Sequence, residues 1–261
     1  MNLAIEKRAA LVCGASDGIG LACARGLAAE GVRVVLVARR EDLLQRRVGE
    51  IREEGGEASF IGFDLTRIDE LDNLARRAES LFGGIDILVN NNGGPPGGAD
   101  LSFGREGWEE AFRLSFLSTA MLTRALISGM SERKWGRIVN LTSVSVKQPI
   151  EGLILSNSIR MSVVGFAKTL SRTFAASNVT INTIATGYTD TERLRSIFDA
   201  RAKREGVSFD EIARAARGPI PAGRFARPEE IASLVVFLAG EGASYITGTT
   251  IPVDGGYVSG M

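Results

Sequence analysis

The chain has 261 residues, 44% of them hydrophobic, with 31 basic side chains balancing 31 acidic ones, two cysteines and no histidine. Without histidine there is no Ser-His-Asp or Cys-His nucleophile system, no histidine general base and no histidine metal ligand, so acid–base chemistry falls to Tyr, Lys, Asp, Glu or a thiol. Cys13 and Cys23 cannot hold zinc by themselves, the balanced charge argues against a nucleic-acid binder, and no stretch reaches the about 20 apolar residues of a membrane span.

That length predicts a single soluble domain over 1–261, since α/β folds often run to about 250 residues as one unit. The opening residues lead into an apolar run of strand length without a signal-peptide pattern, so a cytoplasmic protein is expected. In that compartment Cys13 and Cys23 read as small core residues rather than a bridge.

In chain order, apolar runs of strand length are predicted at 9–12, 32–38, 58–63, 85–89, 137–141, 180–185 and 249–253. Between them, amphipathic segments predict helices at 19–29, 41–54, 68–82, 107–133 and 155–176. Strands apolar throughout and separated by helices indicate an α/β architecture, a doubly wound (Rossmann) parallel sheet of about seven strands with helices on both faces. Ligands of such sheets bind at the carboxyl ends of the strands. The Gly- and Pro-rich run 93–98 follows a strand, where a ligand loop belongs. The charged stretch at about 190–224 breaks the alternation and predicts a helical lid of one or two helices, or a plain surface insertion.

Cys13-Gly14-Ala15-Ser16-Asp17-Gly18-Ile19-Gly20 follows the first strand and opens the first helix. Glycines there permit a tight turn and close backbone approach, and the helix N-terminus presents free N–H groups to a pyrophosphate. The spacing Gly14, Gly18, Gly20 resembles the short-chain dehydrogenase/reductase family, in its 3-oxoacyl-carrier-protein reductase-like branch. Further motifs stand in the same order: Phe63-Asp64-Leu65, Leu88-Val89-Asn90-Asn91-Asn92-Gly93, Gly136-Arg137-Ile138-Val139-Asn140-Leu141-Thr142-Ser143 and Pro228-Glu229-Glu230-Ile231. The closing Ser244-Tyr245-Ile246-Thr247-Gly248 and Val253-Asp254-Gly255-Gly256 complete a resemblance over almost the whole chain.

The resemblance implies an oxidoreductase that moves hydride between a nicotinamide cofactor and a small carbonyl or alcohol substrate, and a homotetramer, with a dimer next. It implies that Gly14, Ser16, Asp17, Gly18, Ile19 and Gly20 cradle the dinucleotide, that Asp64 and Leu65 meet adenine, and that Asn90, Asn91 and Gly93 lie beneath the adenosine. Gly187, Thr189 and Thr191 match positions that hold the nicotinamide end. Cofactor choice follows from charge: an NAD site places an acid at the end of the second strand, whereas here Ala38 is followed by Arg39 and Arg40. Two guanidiniums favour a 2′-phosphate and hence NADP(H) over NAD(H), although Asp17 occupies a position often basic in NADP-dependent relatives.

The catalytic constellation departs from the family pattern. Ser143 matches the serine that polarises the carbonyl oxygen, but Ser156 stands where the family has its tyrosine and Arg160 where it has its lysine. Ser115 replaces the proton-relay asparagine, and Thr186 the proline before Gly187. An aliphatic hydroxyl is a far weaker acid than a phenol, and a guanidinium stays protonated, so Arg160 can anchor a ribose and supply positive field without relaying a proton. Three substitute proton sources are available, Tyr188, Lys147 or a water held by Ser143 and Ser156, with Tyr188 first on its pKa and its place after the nicotinamide loop. Two readings stand: an oxidoreductase with an unconventional proton source, and a non-catalytic or regulatory cofactor-binding protein of the same fold.

Overall fold

The computed structural model describes residues 2–98 and 101–260. Its centre is a seven-stranded, wholly parallel sheet in the order β3-β2-β1-β4-β5-β6-β7. The strands are β1 (Ala9–Cys13), β2 (Arg33–Ala38), β3 (Ala58–Gly62), β4 (Ile87–Asn90), β5 (Gly136–Leu141), β6 (Val179–Thr186) and β7 (Thr250–Val253). Alternate residues of a strand face opposite sides. On one side Ala10, Val12, Val34 and Leu36 pack under α1 (Gly18–Ala29), α2 (Glu41–Glu53) and α9 (Pro228–Ala239), through Leu27, Val48, Ile51, Val235 and Leu238. On the other, Ala9, Leu11, Cys13, Val35 and Val37 pack under α3 (Leu71–Phe82), α5 (Ser118–Glu132) and α6 (Ile154–Phe174), through Leu71, Leu74, Leu122, Leu126 and Ala167. Burial on both faces explains why the strands read as continuous apolar runs rather than alternating ones.

Sequence order reverses between β1 and β4, and a crevice opens at the carboxyl ends of strands at such a switch point. The fold class therefore agrees with the expectation, and so does the burial of Cys13 and Cys23 as free thiols whose pKa values burial pushes up to about 12. Two elements depart from the expectation by more than a shift of a few residues at an end. The helix expected over 107–133 begins earlier, as α4 (Arg105–Phe112), and passes through a π-helical turn at Arg113–Leu117 before α5. The periodicity of an apolar face barely registers one inserted residue. A ninth helix, α9, starts with Pro228 at its first position, and the Glu230 carboxylate accepts from the Arg227 N–H at 2.8 Å and pairs with Arg224. Those bonds, that of Arg224 foremost, hold the Glu230 carboxyl down to about 2.

The charged stretch forms two helices, α7 (Glu192–Glu205) and α8 (Phe209–Arg217). Thr191 caps α7 by accepting from the Leu194 N–H at 3.2 Å, and Ser208 with Glu211 forms a capping box on α8. Both rest on a small cluster of their own, Phe198, Ala202, Ile212 and Ala213, apart from the two main cores. A segment with so little buried apolar surface stands at the low-stability end of a fold.

Candidate active site

The glycine loop turns sharply between β1 and α1. Gly14 and Gly18 have φ of +59° and +55°, conformations that a side chain disfavours. A Cβ on Gly20 would strike the Gly14 carbonyl and lie 2.7 Å from Asn91 Nδ2, so only glycine permits this approach of α1 to the loop. Asp17, at the N-cap of α1, makes no side-chain cap bond, and no acidic residue occupies the first turn. The first amides of α1 are left to another acceptor, which is the arrangement that suits an anion. Ser16 is buried, Ile19 packs against the core, and Arg47 of α2 donates to the Ser16 carbonyl at 3.3 Å.

The three asparagines after β4 do three different jobs. Asn90 donates to Asn140 of β5 at 2.8 Å and to Thr123 of α5 at 3.2 Å. Asn91 reaches the Gly14 carbonyl at 3.4 Å, and Asn92 donates to Ser118 and Thr119 at 2.6 and 2.8 Å. Together they fix the strand end against the glycine loop and the start of α5. Gly93 continues this strand end, with open space where its Cβ would stand.

At the far end of the crevice, Asp64 Oδ1 accepts from the Thr66 N–H at 3.0 Å and its hydroxyl at 2.8 Å. Burial opposes ionisation of Asp64, but Thr66, then Arg39 and Arg67, outweigh it and hold the carboxyl below its ordinary value. Leu65 is buried beside it, while Arg39 and Arg40 are exposed at the end of β2. Arg39 is thus close enough to act on Asp64. Glu41, in the first turn of α2, lies across Gly62, so this end holds acids as well as guanidiniums.

At the near end the hydroxyls gather. Ser143, extended at the end of β5, accepts from the Ser145 N–H at 3.1 Å, and Ser145 and Ser156 hydroxyls stand 3.2 Å apart, both buried. Ser145, which links Ser143 to Ser156, is marked in the sequence by no motif, only by its place two residues after Ser143. Arg160, one turn beyond Ser156 on α6, donates to the Leu141 carbonyl at 3.3 Å and the Gly93 carbonyl at 3.0 Å. Its Nε is buried and has no partner among the described residues. Burial, and then Arg193, lower its pKa to about 10, which leaves a full cation at neutral pH.

Ser115 lies in the π-helical turn, buried, and its hydroxyl too has no partner among the described residues. Such turns recur at functional sites. Thr186 ties the end of β6 to that of β5 by donating to the Thr142 carbonyl at 2.9 Å, a bond that proline could not make. A Cβ on Gly187 would stand 2.7 Å from the backbone of Asp254. Thr189 is buried and donates to the Gly187 carbonyl at 3.2 Å, while Thr191 starts α7 against Gly18. Lys147 is exposed beyond the Ser143 turn.

Tyr188 packs edge-on to Tyr257, with ring centroids 5.6 Å apart, and against Phe225 and Phe198. Burial, then Tyr257, raise its pKa, the opposite of what a general acid for neutral pH requires. Among the described residues no group of His, Cys, Asp or Glu could hold a metal ion, and no helix is long and apolar enough to cross a membrane.

A family model described as Enoyl-(Acyl carrier protein) reductase matches residues 14–258. The chain is 34% identical to the 3-oxoacyl-[acyl-carrier-protein] reductase FabG of Vibrio cholerae, over 98% of both chains. Among solved structures it is similar to an actinorhodin polyketide ketoreductase variant with NADPH (TM-score 0.92, 33% identity, 97% of this chain and 98% of that one). It is also similar to the L-sorbose reductase of Gluconobacter frateurii complexed with NADPH and L-sorbose (TM-score 0.94, 31% identity, 100% of both chains). With a matched model spanning nearly all of its length and relatives covered end to end, this chain belongs to the short-chain dehydrogenase/reductase family.

Proposed function

We propose that the protein is an NADP(H)-dependent oxidoreductase of a small carbonyl or hydroxyl compound, with Ser156 and Arg160 where the family has tyrosine and lysine. The observation that carries the reading is one crevice in which an uncapped α1 N-terminus, the Asp64–Arg39 end and the Ser143–Ser156–Arg160 end line up along the strand termini. These residues fit a dinucleotide: Gly20 leaves the backbone approach open, and the orphaned Arg160 Nε is a buried donor awaiting an acceptor. Bound there, a reduced nicotinamide supplies hydride. Ser143 polarises the carbonyl oxygen, Arg160 holds ribose hydroxyls and keeps positive field on the site, and Gly187, Thr189 and Thr191 hold the nicotinamide end.

No phenol matches the family's proton donor, and Arg160 cannot relay a proton at neutral pH. The proton reaches the oxygen from a water held by the Ser143, Ser145 and Ser156 hydroxyls in our reading, with Tyr188 as the alternative donor. Its packing favours a role in seating α7 instead. Tyr188→Phe is expected to change turnover less than threefold, read in initial rates; loss of all activity would make Tyr188 the acid.

The preference for NADP(H) rests on Arg39 and the absence of an acid at Ala38, and both structural neighbours named above carry NADPH. Fluorescence titration is expected to show NADPH bound about tenfold or more tighter than NADH, with Arg39→Ala levelling the two. The segment 190–224 acts as a lid on a single domain spanning 1–261, in the cytoplasm. Exposed Phe112 and Met161, on α4 and α6, support association into a homotetramer through that face.

Loss of the family's Asn, Tyr and Lys together favours a second reading, a non-catalytic or regulatory cofactor-binding protein. The deciding experiment is NADPH binding followed by turnover with 3-oxoacyl thioesters, ketones, ketoses and alcohols. Binding with oxidation of NADPH by any of them supports the enzyme, and binding without turnover supports the second reading.

A further inference from the structure

The crevice contains another guanidinium that the motifs do not mark. Arg193 stands in the first turn of α7 and donates through Nη2 to the carbonyls of Gly94 at 2.6 Å and Pro95 at 3.3 Å. Arg160 approaches the same loop from α6: a Cβ on Gly94 would lie 3.4 Å from Arg160 Nη2 and 3.7 Å from Arg193 Nη2. Two guanidiniums thus converge on one glycine. Every hydrogen bond that either makes among the described residues ends on a backbone carbonyl, and no carboxylate among those residues pairs with either guanidinium. Bringing like charges together costs energy that neutral acceptors only partly return.

The position of Arg193 along the crevice points to its ligand. Its pKa is lowered by burial and then by Arg39, at the end of β2, while it lowers that of Arg160 in turn. Arg193 therefore lies within electrostatic reach of both, one at the end assigned to the adenosine and the other at the nicotinamide ribose. In a dinucleotide, what lies between the two riboses is the pyrophosphate. On the other wall are the uncapped amides of α1, and Thr191, two residues before Arg193, already touches Gly18: a Cβ there would lie 3.1 Å from Thr191 Cγ2.

We infer that Arg193 is a lid-borne ligand for the cofactor's diphosphate, which fastens α7 to the Gly94–Pro95 carbonyls in the free protein and exchanges them for phosphate oxygens on binding. The exchange is favourable because phosphate oxygens carry the negative charge that the carbonyls lack and can be gripped by the planar guanidinium through two parallel N–H bonds. Closure of α7 is then coupled to occupancy of the crevice. The inference rests on the cofactor reading, so its test must separate the two.

Calorimetric titration of the intact protein with three probes does so: NADPH, ADP-ribose, which has the diphosphate but no 2′-phosphate, and adenosine 2′-phosphate, which has the reverse. Arg193→Gln is expected to weaken NADPH and ADP-ribose about tenfold and adenosine 2′-phosphate less than twofold. Arg39→Gln should weaken NADPH and adenosine 2′-phosphate and spare ADP-ribose. Arg204→Ala, in the last turn of the same helix and paired with Glu205, is the control that changes none. Should Arg193→Gln not fold, Arg193→Lys retains a point charge without the fork and should give a smaller loss of ADP-ribose binding. Unchanged ADP-ribose affinity in the Arg193 variant, with wild-type binding intact, overturns the inference alone; wild-type protein that binds none of the probes overturns the cofactor reading with it.

Discussion

Ser156→Tyr combined with Arg160→Lys is expected to raise reductase turnover by about 10² to 10⁴, the usual worth of a positioned general acid. Ser156 and Arg160 are one helical turn apart on α6, beside Ser145 and at the end of β5 respectively, so the pair sits where a phenol and an ammonium would act together. A lysine at 160 can lower the pKa of a neighbouring phenol, which a serine hydroxyl could never match. The pH dependence should change with the rate. Wild-type turnover should show no break assignable to a phenol between about pH 6 and 9, whereas the double variant should lose reductase activity above the pKa that its tyrosine acquires, because only the protonated phenol can donate. Ser156→Phe with Arg160→Lys adds the ring without the hydroxyl and should give no gain. A double variant that folds, binds NADPH and turns over no faster would show that more than the acid is missing.

The second large effect is at Gly20. Gly20→Ala should abolish measurable NADPH binding and lower stability by roughly 1–3 kcal/mol, the cost typical of forcing a methyl into a filled site. Its Cβ would meet the side-chain amide of Asn91 and the carbonyl of Gly14, and the latter is backbone, so relief requires moving the loop itself. The control is Gly49→Ala in α2, which has nothing within 4 Å and should be neutral or slightly stabilising, as alanine favours a helix over glycine by up to about 1 kcal/mol. Thermal melts and NADPH titration of the two variants separate loss of the site from loss of the fold.

Much of this molecule is legible from its sequence because the signals are local and repeated. Seven apolar runs separated by helix-length segments specify a parallel sheet, and a glycine spacing directly after the first of them specifies the crevice. What is hidden depends on contacts between distant segments. The π-helical turn at 113–117 adds one residue to an otherwise continuous amphipathic helix, and no residue type marks it. Ser145 looks like an ordinary turn serine until α6 brings Ser156 to it. Arg193 looks like one more charge on a solvated helix, since nothing in Glu192-Arg193-Leu194 reveals that it spans to Gly94. Tyr188 shows the converse. Its place next to Gly187 suggests chemistry, but the aromatic partners that surround it come from residues 198, 225 and 257.

The central claim is that this crevice still transfers hydride although the family's acid is absent. Its most direct measurement is a long single-turnover incubation of wild-type protein with NADPH deuterated at the transferring position and the best-bound carbonyl compound of the panel, with the product analysed by mass spectrometry. One deuterium is expected to appear slowly at the carbinol carbon, a transfer abolished by Gly20→Ala and accelerated by the Ser156→Tyr, Arg160→Lys double variant. Saturating NADPH binding with no deuterium transferred to any carbonyl compound tested would contradict that claim and leave a cofactor-binding protein without chemistry.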